Sequence, residues 1–196
     1  MEIASIFATP LASDDLHLDN LQLEEFCKRS VKENFDAPIM EKSQSKFLDL
    51  SSPELQPLLE LVYERFNRFY NTMGLDKNTQ LAILRAWTNV DNSYPIDVPH
   101  IHPDSFFSAV YYVKGSGTNE NGNLVLHSPV AALQHCINPS LVETNNYFNC
   151  FAHEINPVTG RLVMFPSWIM HNVQKNFLNT ERISIAFDAV IVRSNP

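Results

Sequence analysis

Basic side chains are scarce in this chain. Lys and Arg number 14 against 22 Asp and Glu, for a formal charge of -8 over 196 residues. A protein that tracks phosphates needs the opposite balance, which argues against a nucleic-acid binder. Cysteine is sparse as well. Cys27, Cys136 and Cys150 give an odd count with no C-x-x-C spacing, so neither a disulfide framework nor a zinc ribbon is indicated. A reducing, cytoplasmic setting is the natural expectation. No run approaches about 18 apolar residues, and the start Met1-Glu2-Ile3-Ala4-Ser5 lacks the basic stretch of a signal peptide. The expectation is a soluble chain with no membrane partner. Repeats, low-complexity tracts and dividing linkers are also missing, so the sequence reads as one domain, 1–196.

What is present divides by period. Residues 1–78 read as a helical N-terminal buttress with a short edge strand over Glu2 to Ala8, ended by Thr9-Pro10. From Asp14 to Glu33, Leu16, Leu23, Phe26, Cys27 and Val31 follow a helical period. Ser52-Pro53 opens a second helix with the stripe Leu55, Leu58, Leu59, Val62, Phe66, Phe69 and Tyr70, stopped at Gly74. Such stripes are core packing far more often than cofactor contacts. Residues 79–196 switch to short strands rich in β-branched and aromatic residues: 80–90, 106–113, 123–127, 147–155, 161–165 and 182–192. Turn clusters separate them. Many strands without intervening helices imply antiparallel pairing, hence a mainly β sandwich, barrel or jelly roll with the N-terminal helices packed outside.

Histidine concentrates where charge thins out. All but His17 lie between His100 and His171, and the second half has only Lys114, Arg161, Lys175, Arg182 and Arg193 as basic groups. His100-Ile101-His102-Pro103-Asp104 precedes the strand Phe106 to Val113. In an extended segment His100, His102 and Asp104 would share a face, and imidazole with carboxylate suits Fe(II), Mn(II) or Zn. Alone, that spacing equally describes polar residues at a strand entrance. Downstream stand Phe165-Pro166-Ser167-Trp168-Ile169-Met170-His171 and then Arg182-Ile183-Ser184. A distant His meeting an H-x-D pair is the 2-His-1-carboxylate arrangement. Arg182 opens a strand that otherwise reads as core, and its planar fork suits a carboxylate, with Ser184 on the same face as a hydroxyl donor.

These segments resemble the 2-oxoglutarate/Fe(II)-dependent oxygenases. The chain is most similar to a largely uncharacterised branch found in bacteria and phages, in Ile6 to Leu11, Trp87-Thr88-Asn89, HIHPDSFFSAVYYV, Phe165-Pro166-Ser167 with His171, and RISIAF. The resemblance implies a double-stranded β-helix (a cupin-like jelly roll) binding Fe(II) and 2-oxoglutarate as cosubstrate with O2. It implies a hydroxylase, prolyl-hydroxylase-like, in the cytoplasm or in the host's cytoplasm for a phage-encoded chain. His171 would be the distal ligand, His102 a proximal one, and Arg182 the clamp on the cosubstrate's C5 carboxylate. The third ligand is Asp104 or, alternatively, His100. Asp104 is preferred because an anionic ligand favours Fe(II). Tyr112, with Ser108 in phase and Ser184, would help hold 2-oxoglutarate. Trp87 and Asn89 are candidate substrate contacts, and Ala109 departs from the glycine common in relatives. His127, His135 and His153 share no ligand spacing.

Two other functions fit parts of the pattern. His100-x-His102-x-Asp104 begins a metallo-β-lactamase-type zinc hydrolase signature, although Ser105 stands where a His is needed. A non-enzymatic jelly-roll binder could hold a structural ion but has no need of the core Arg182. The substrate, small molecule or peptide/protein, is expected at loops such as 114–122 or 139–147. Jelly-roll edges and the N-terminal strand could support a homodimer.

Overall fold

The final strand sorts its residues by parity. In β9 (Arg182–Arg193), Ile183, Ile185, Phe187 and Ala189 belong to one hydrophobic core, while Arg182, Ser184, Ala186 and Asp188 alternate with them. Period-2 alternation sends the two sets to opposite faces, and both faces are buried. That is why the strand reads as almost continuously apolar.

A computed structural model describes residues 1–3, 6–32, 43–76, 78–91, 98–130, 138–146, 148–178 and 180–193. The remaining elements are β1 (Ala12–Asp15), α1 (Asn20–Lys32), β2 (Ser43–Phe47), α2 (Gln56–Thr72), β3 (Thr79–Asp91), β4 (Phe107–Lys114), β5 (Leu124–His127), β6 (Ala152–Ile155), β7 (Arg161–Pro166) and β8 (His171–Val173). A six-stranded sheet runs β1-β7-β4-β9-β3-β2 and a three-stranded sheet runs β6-β5-β8. All pairings are antiparallel. The fold is the expected mainly β jelly roll, with α1 and α2 outside the large sheet.

Two cores follow from this layering. Between helices and large sheet, Leu23, Phe26, Leu58, Val62 and Phe66 meet Phe107, Tyr111, Ile185 and Phe187. Between the sheets lies a smaller cluster of Tyr112, Leu124, Leu126, Val163, Phe165 and Ile169. The inner core is small because much of that face is given to polar groups.

The N-terminal expectations shift by a few residues. Residues 12–15, rather than the segment expected over 2–8, form the first strand, by pairing with Arg161–Met164. The described residues before it are not strand, and Ile3, Ile6 and Phe7 are exposed. Strand pairing of 12–15 in turn delays α1 to Asn20. The second helix begins at Gln56, with Pro57 in its first turn, where a missing N–H costs nothing. Ser43–Phe47 was not anticipated as a strand; it is a polar edge that pairs with β3.

An ion-pair lattice fastens α1 to the sheet. Glu24 accepts from Lys28 (2.6 Å) and Lys114 (2.8 Å), and Glu181 from Lys28 (2.5 Å) and Lys114 (3.2 Å). Burial pushes both carboxyls up, but the ammonium groups outweigh it and hold them below the usual 4.5. Lowered folded values mean that this stability is present above the ordinary carboxyl range and is lost as pH falls through it. The lattice is half-exposed, so the loss is about 1 kcal/mol. Urea titrations between about pH 6 and about pH 3 should show a flatter acid limb for the Glu24→Gln/Glu181→Gln double variant than for the unmodified chain.

Candidate active site

The inward face of the large sheet is a ladder of facing residues on β4, β9 and β3. Tyr112, Ser184 and Asn89 form one rung; Val110, Ala186 and Trp87 the next; Ser108, Asp188 and Arg85 the third. Arg182 pairs with Asp91 at the far end. Arg85 shares parity, and face, with Trp87 and Asn89. A register shift between Ile83 and Arg85 sends Ile83, of the same parity, to the helix side opposite Ala189, as β-bulges re-aim side chains. The face borders a cavity of about 470 Å³, a usual size for a small-molecule site.

At one pole stand three imidazoles. His100 and His171 exchange backbone hydrogen bonds (2.9 Å each way), and the His102 N–H donates to Ser167 O (3.0 Å). This ties the His100–His102 segment to the turn before β8. The candidate ligand atoms of His100, His102 and His171 lie within 4.8 Å of one another, close enough to grip one ion. Each ring turns Nδ1 to an acceptor: His100 to Val98 O (2.8 Å), His171 to Ile169 O (2.8 Å) and His102 to Asp188 Oδ1 (2.6 Å). An acceptor at Nδ1 requires the N–H there, leaving the neutral ring's lone pair on Nε2. Burial also drives His171 down to about 4, so it is neutral near pH 7. The donor set therefore fits a borderline divalent metal such as Fe(II).

Asp104 is not part of this group. The Ser105 N–H donates to His102 O (3.2 Å), a turn that places Pro103 and Asp104 at its corner. The extended alternation that would have carried the carboxylate inward ends at His102, and Asp104 is exposed. The preference for Asp104 over His100 is therefore corrected: the structure gathers His100. The same geometry disposes of the zinc-hydrolase signature, which needs Asp104, and the antiparallel jelly roll is not that enzyme's α/β framework.

Asp188 is a site residue that the sequence reading did not name. Its buried carboxylate receives His102 Nδ1 and Ser108 Oγ (2.9 Å) on Oδ1, and Arg85 Nε and Nη2 (2.7 Å each) on Oδ2. Burial raises its pKa, but the hydrogen bonds from His102, Arg85 and Ser108 prevail and hold it below 3.8. Asp188 is in phase with Arg182 and Ser184, a signal that alternation could have given. Ser108, expected at the cosubstrate, lines the cavity and hydrogen-bonds His102, Asp188 and Ser167 (2.8 Å).

The other pole belongs to Arg182. It is 4% exposed and donates from Nη1 to Gly122 O (2.6 Å) and from Nη2 to the Asp91 carboxylate. Asp91, itself 2% exposed, is a partner the sequence reading did not name. Gly122 (φ +81°) leaves room for the guanidinium: a Cβ there would stand 2.6 Å from Arg182 Nη1. Tyr112, Ser184, Asn89 and Trp87 line the same cavity. Burial pushes the Tyr112 phenol up to about 12, so its hydroxyl keeps the proton and can donate. Phe47 packs edge-on against Trp87 (6.1 Å between centroids) at the rim. His127 bonds Asn172 Oδ1 (2.7 Å) and His153 is exposed, and neither belongs to the imidazole cluster. His135, Cys136 and the loop end at Tyr147 lie outside the described residues.

Residues 85–188, over half of the chain, match the family model described as "Putative 2OG-Fe(II) oxygenase". No curated protein matches by sequence. Among solved structures, a Pseudomonas putida prolyl-4-hydroxylase superposes with TM-score 0.60 at 17% identity, covering 96% of this chain and 94% of that one. HygX from Streptomyces hygroscopicus, with nickel and 2-oxoglutarate bound, gives 0.59 at 14% identity over 93% and 83%. The epimerase SnoN from nogalamycin biosynthesis, described as α-ketoglutarate-dependent, gives 0.64 at 10% over 95% and 79%. At these identities the structural likenesses establish the jelly-roll fold.

Proposed function

Because the chain belongs to the 2OG-Fe(II) oxygenase family, an enzyme family, we propose that it hydroxylates a C–H bond of a small-molecule or peptide substrate. In the balanced reaction, 2-oxoglutarate and O2 give succinate and CO2, and the second oxygen atom enters the C–H bond. The metal, when bound, supplies O2 activation, and the protein orients and shields it.

His100, His102 and His171 hold the Fe(II). The observation that carries this reading is the common orientation of the three rings, with every Nδ1 committed to an acceptor. At the opposite end of the inward ladder, Arg182 receives the distal carboxylate of 2-oxoglutarate, with Tyr112 and Ser184 contributing hydroxyl groups. Trp87 and Asn89 lie between the poles, where they border the substrate. Among the described residues no helix is long and apolar enough to cross a membrane.

The test uses the metal-free protein loaded anaerobically with Fe(II). We expect one iron per chain, saturable 2-oxoglutarate binding, and slow succinate release once air is admitted. His171→Ala should lose the iron. Stoichiometric iron without any affinity for 2-oxoglutarate would favour the non-enzymatic binder and overturn this reading.

A further inference from the structure

The cluster of His100, His102 and His171 contains no carboxylate of its own. The nearest negative charge in the ladder is Asp188, and its surroundings are specific. It is 0% exposed, and its two oxygens are divided between different tasks. Oδ1 accepts hydrogen bonds from His102 Nδ1–H (2.6 Å) and the Ser108 hydroxyl (2.9 Å), while Oδ2 accepts from Arg85 Nε and Nη2.

His100 and His171 differ in this respect. Their Nδ1 atoms face the backbone carbonyls of Val98 and Ile169, which are dipoles without net charge. Only His102 is backed by a carboxylate. A ligand-backing carboxylate fixes the imidazole tautomer and ring angle and raises its basicity as a ligand. Were Asp188 present simply to neutralise Arg85, both oxygens could face that side chain. Arg85 is itself one-third exposed, so it has water available and does not require a wholly buried counter-ion.

We propose that Asp188 is the positioning carboxylate of the metal centre. It locks His102 with Nε2 toward the metal and places a negative charge, shared with Arg85, directly behind that ligand. Arg85 engages the other carboxylate oxygen, Oδ2, through two nitrogens at 2.7 Å each. This role rests on the reading that His100, His102 and His171 hold Fe(II), and the test separates the two.

The experiment is an anaerobic Fe(II) titration of the metal-free protein, with Asp188→Asn and Asp188→Ala beside the unmodified chain. The expected result is affinity weakened about 10–100-fold in both variants. In Asp188→Asn, which keeps the shape and loses the charge, the Fe(III)/Fe(II) midpoint potential should also rise. Unaltered affinity or an unshifted potential in Asp188→Asn overturns the proposal. Failure of the unmodified chain to bind iron would overturn the metal assignment instead. Should the variants not fold, side-chain nitrogen NMR of the metal-free unmodified protein still decides. His102 with its proton on Nδ1 is expected, and a proton on Nε2 overturns the proposal.

Discussion

Replacing Arg182 by alanine is expected to abolish measurable 2-oxoglutarate binding and to lower the melting temperature by about 6–20 °C. The two effects share one cause. Arg182 and Asp91 are both almost fully buried, and removing one partner of such a pair leaves the other charge stranded, at about 3–5 kcal/mol. For a chain of this size each kcal/mol corresponds to about 2–4 °C. Loss of a buried charged partner for the cosubstrate carboxylate would cost about 2–5 kcal/mol of binding.

Two further variants separate clamp from scaffold. Arg182→Lys keeps a charge opposite Asp91 but loses the planar fork. It should recover much of the melting temperature while binding 2-oxoglutarate weakly, and full binding would defeat the clamp assignment. Asp91→Asn leaves the guanidinium in place without a competing carboxylate. It should bind 2-oxoglutarate at least as tightly as the unmodified chain by calorimetry. Weaker binding would mean that Asp91 is needed to hold Arg182 toward the cavity.

The second large effect is expected on the other face of the sheet. Phe66 on α2 is fully buried, and its ring stacks on Phe107 of β4 with centroids 6.1 Å apart. Phe69 closes on the same Phe107 ring at 4.8 Å. Phe66→Ala should destabilise the fold by about 3–5 kcal/mol, since it removes the ring and leaves a cavity between helix and sheet. Alanine is a good helix former, so the helix itself is not weakened. Denaturant unfolding should show that loss, while Fe(II) affinity measured well below the melting temperature stays within about threefold, or less than 1 kcal/mol. A larger change in affinity would show that the helix face and the cavity face are coupled through the sheet.

Much of this arrangement was legible in the residues. Periodicity separated the helical stripe of Leu58, Val62, Phe66 and Phe69 from the strands. Alternation along Arg182-Ile183-Ser184 put the charged and hydroxyl residues on one face. The motifs around His102, His171 and Arg182 pointed to the family, and the comparison over residues 85–188 establishes it. The same alternation, carried too far, brought in Asp104. Strand parity holds only while the chain stays extended, and Pro103 turns it. Arg85 keeps the face of Trp87 and Asn89 that parity gives it, and the register shift turns Ile83 to the helix side instead. Asp91 and Asp188 follow the alternation of the inward face, but alternation names a face and not a partner, so their roles show only once the strands are paired.

The sequence by itself determined most of the element types, the layered β architecture, and two of the three clustered histidines with the core arginine. Hydrophobic period and motif chemistry are local, and they survive without knowing which strands pair. Tertiary structure alone decided the third imidazole, the Asp188 carboxylate behind His102 and the Asp91 partner of Arg182. Each of these depends on strand register, a bulge or a turn, which bring together residues as far apart as His102 and Asp188. A sequence pattern does not encode such distances; the pairing of β9 with β3 and β4 does.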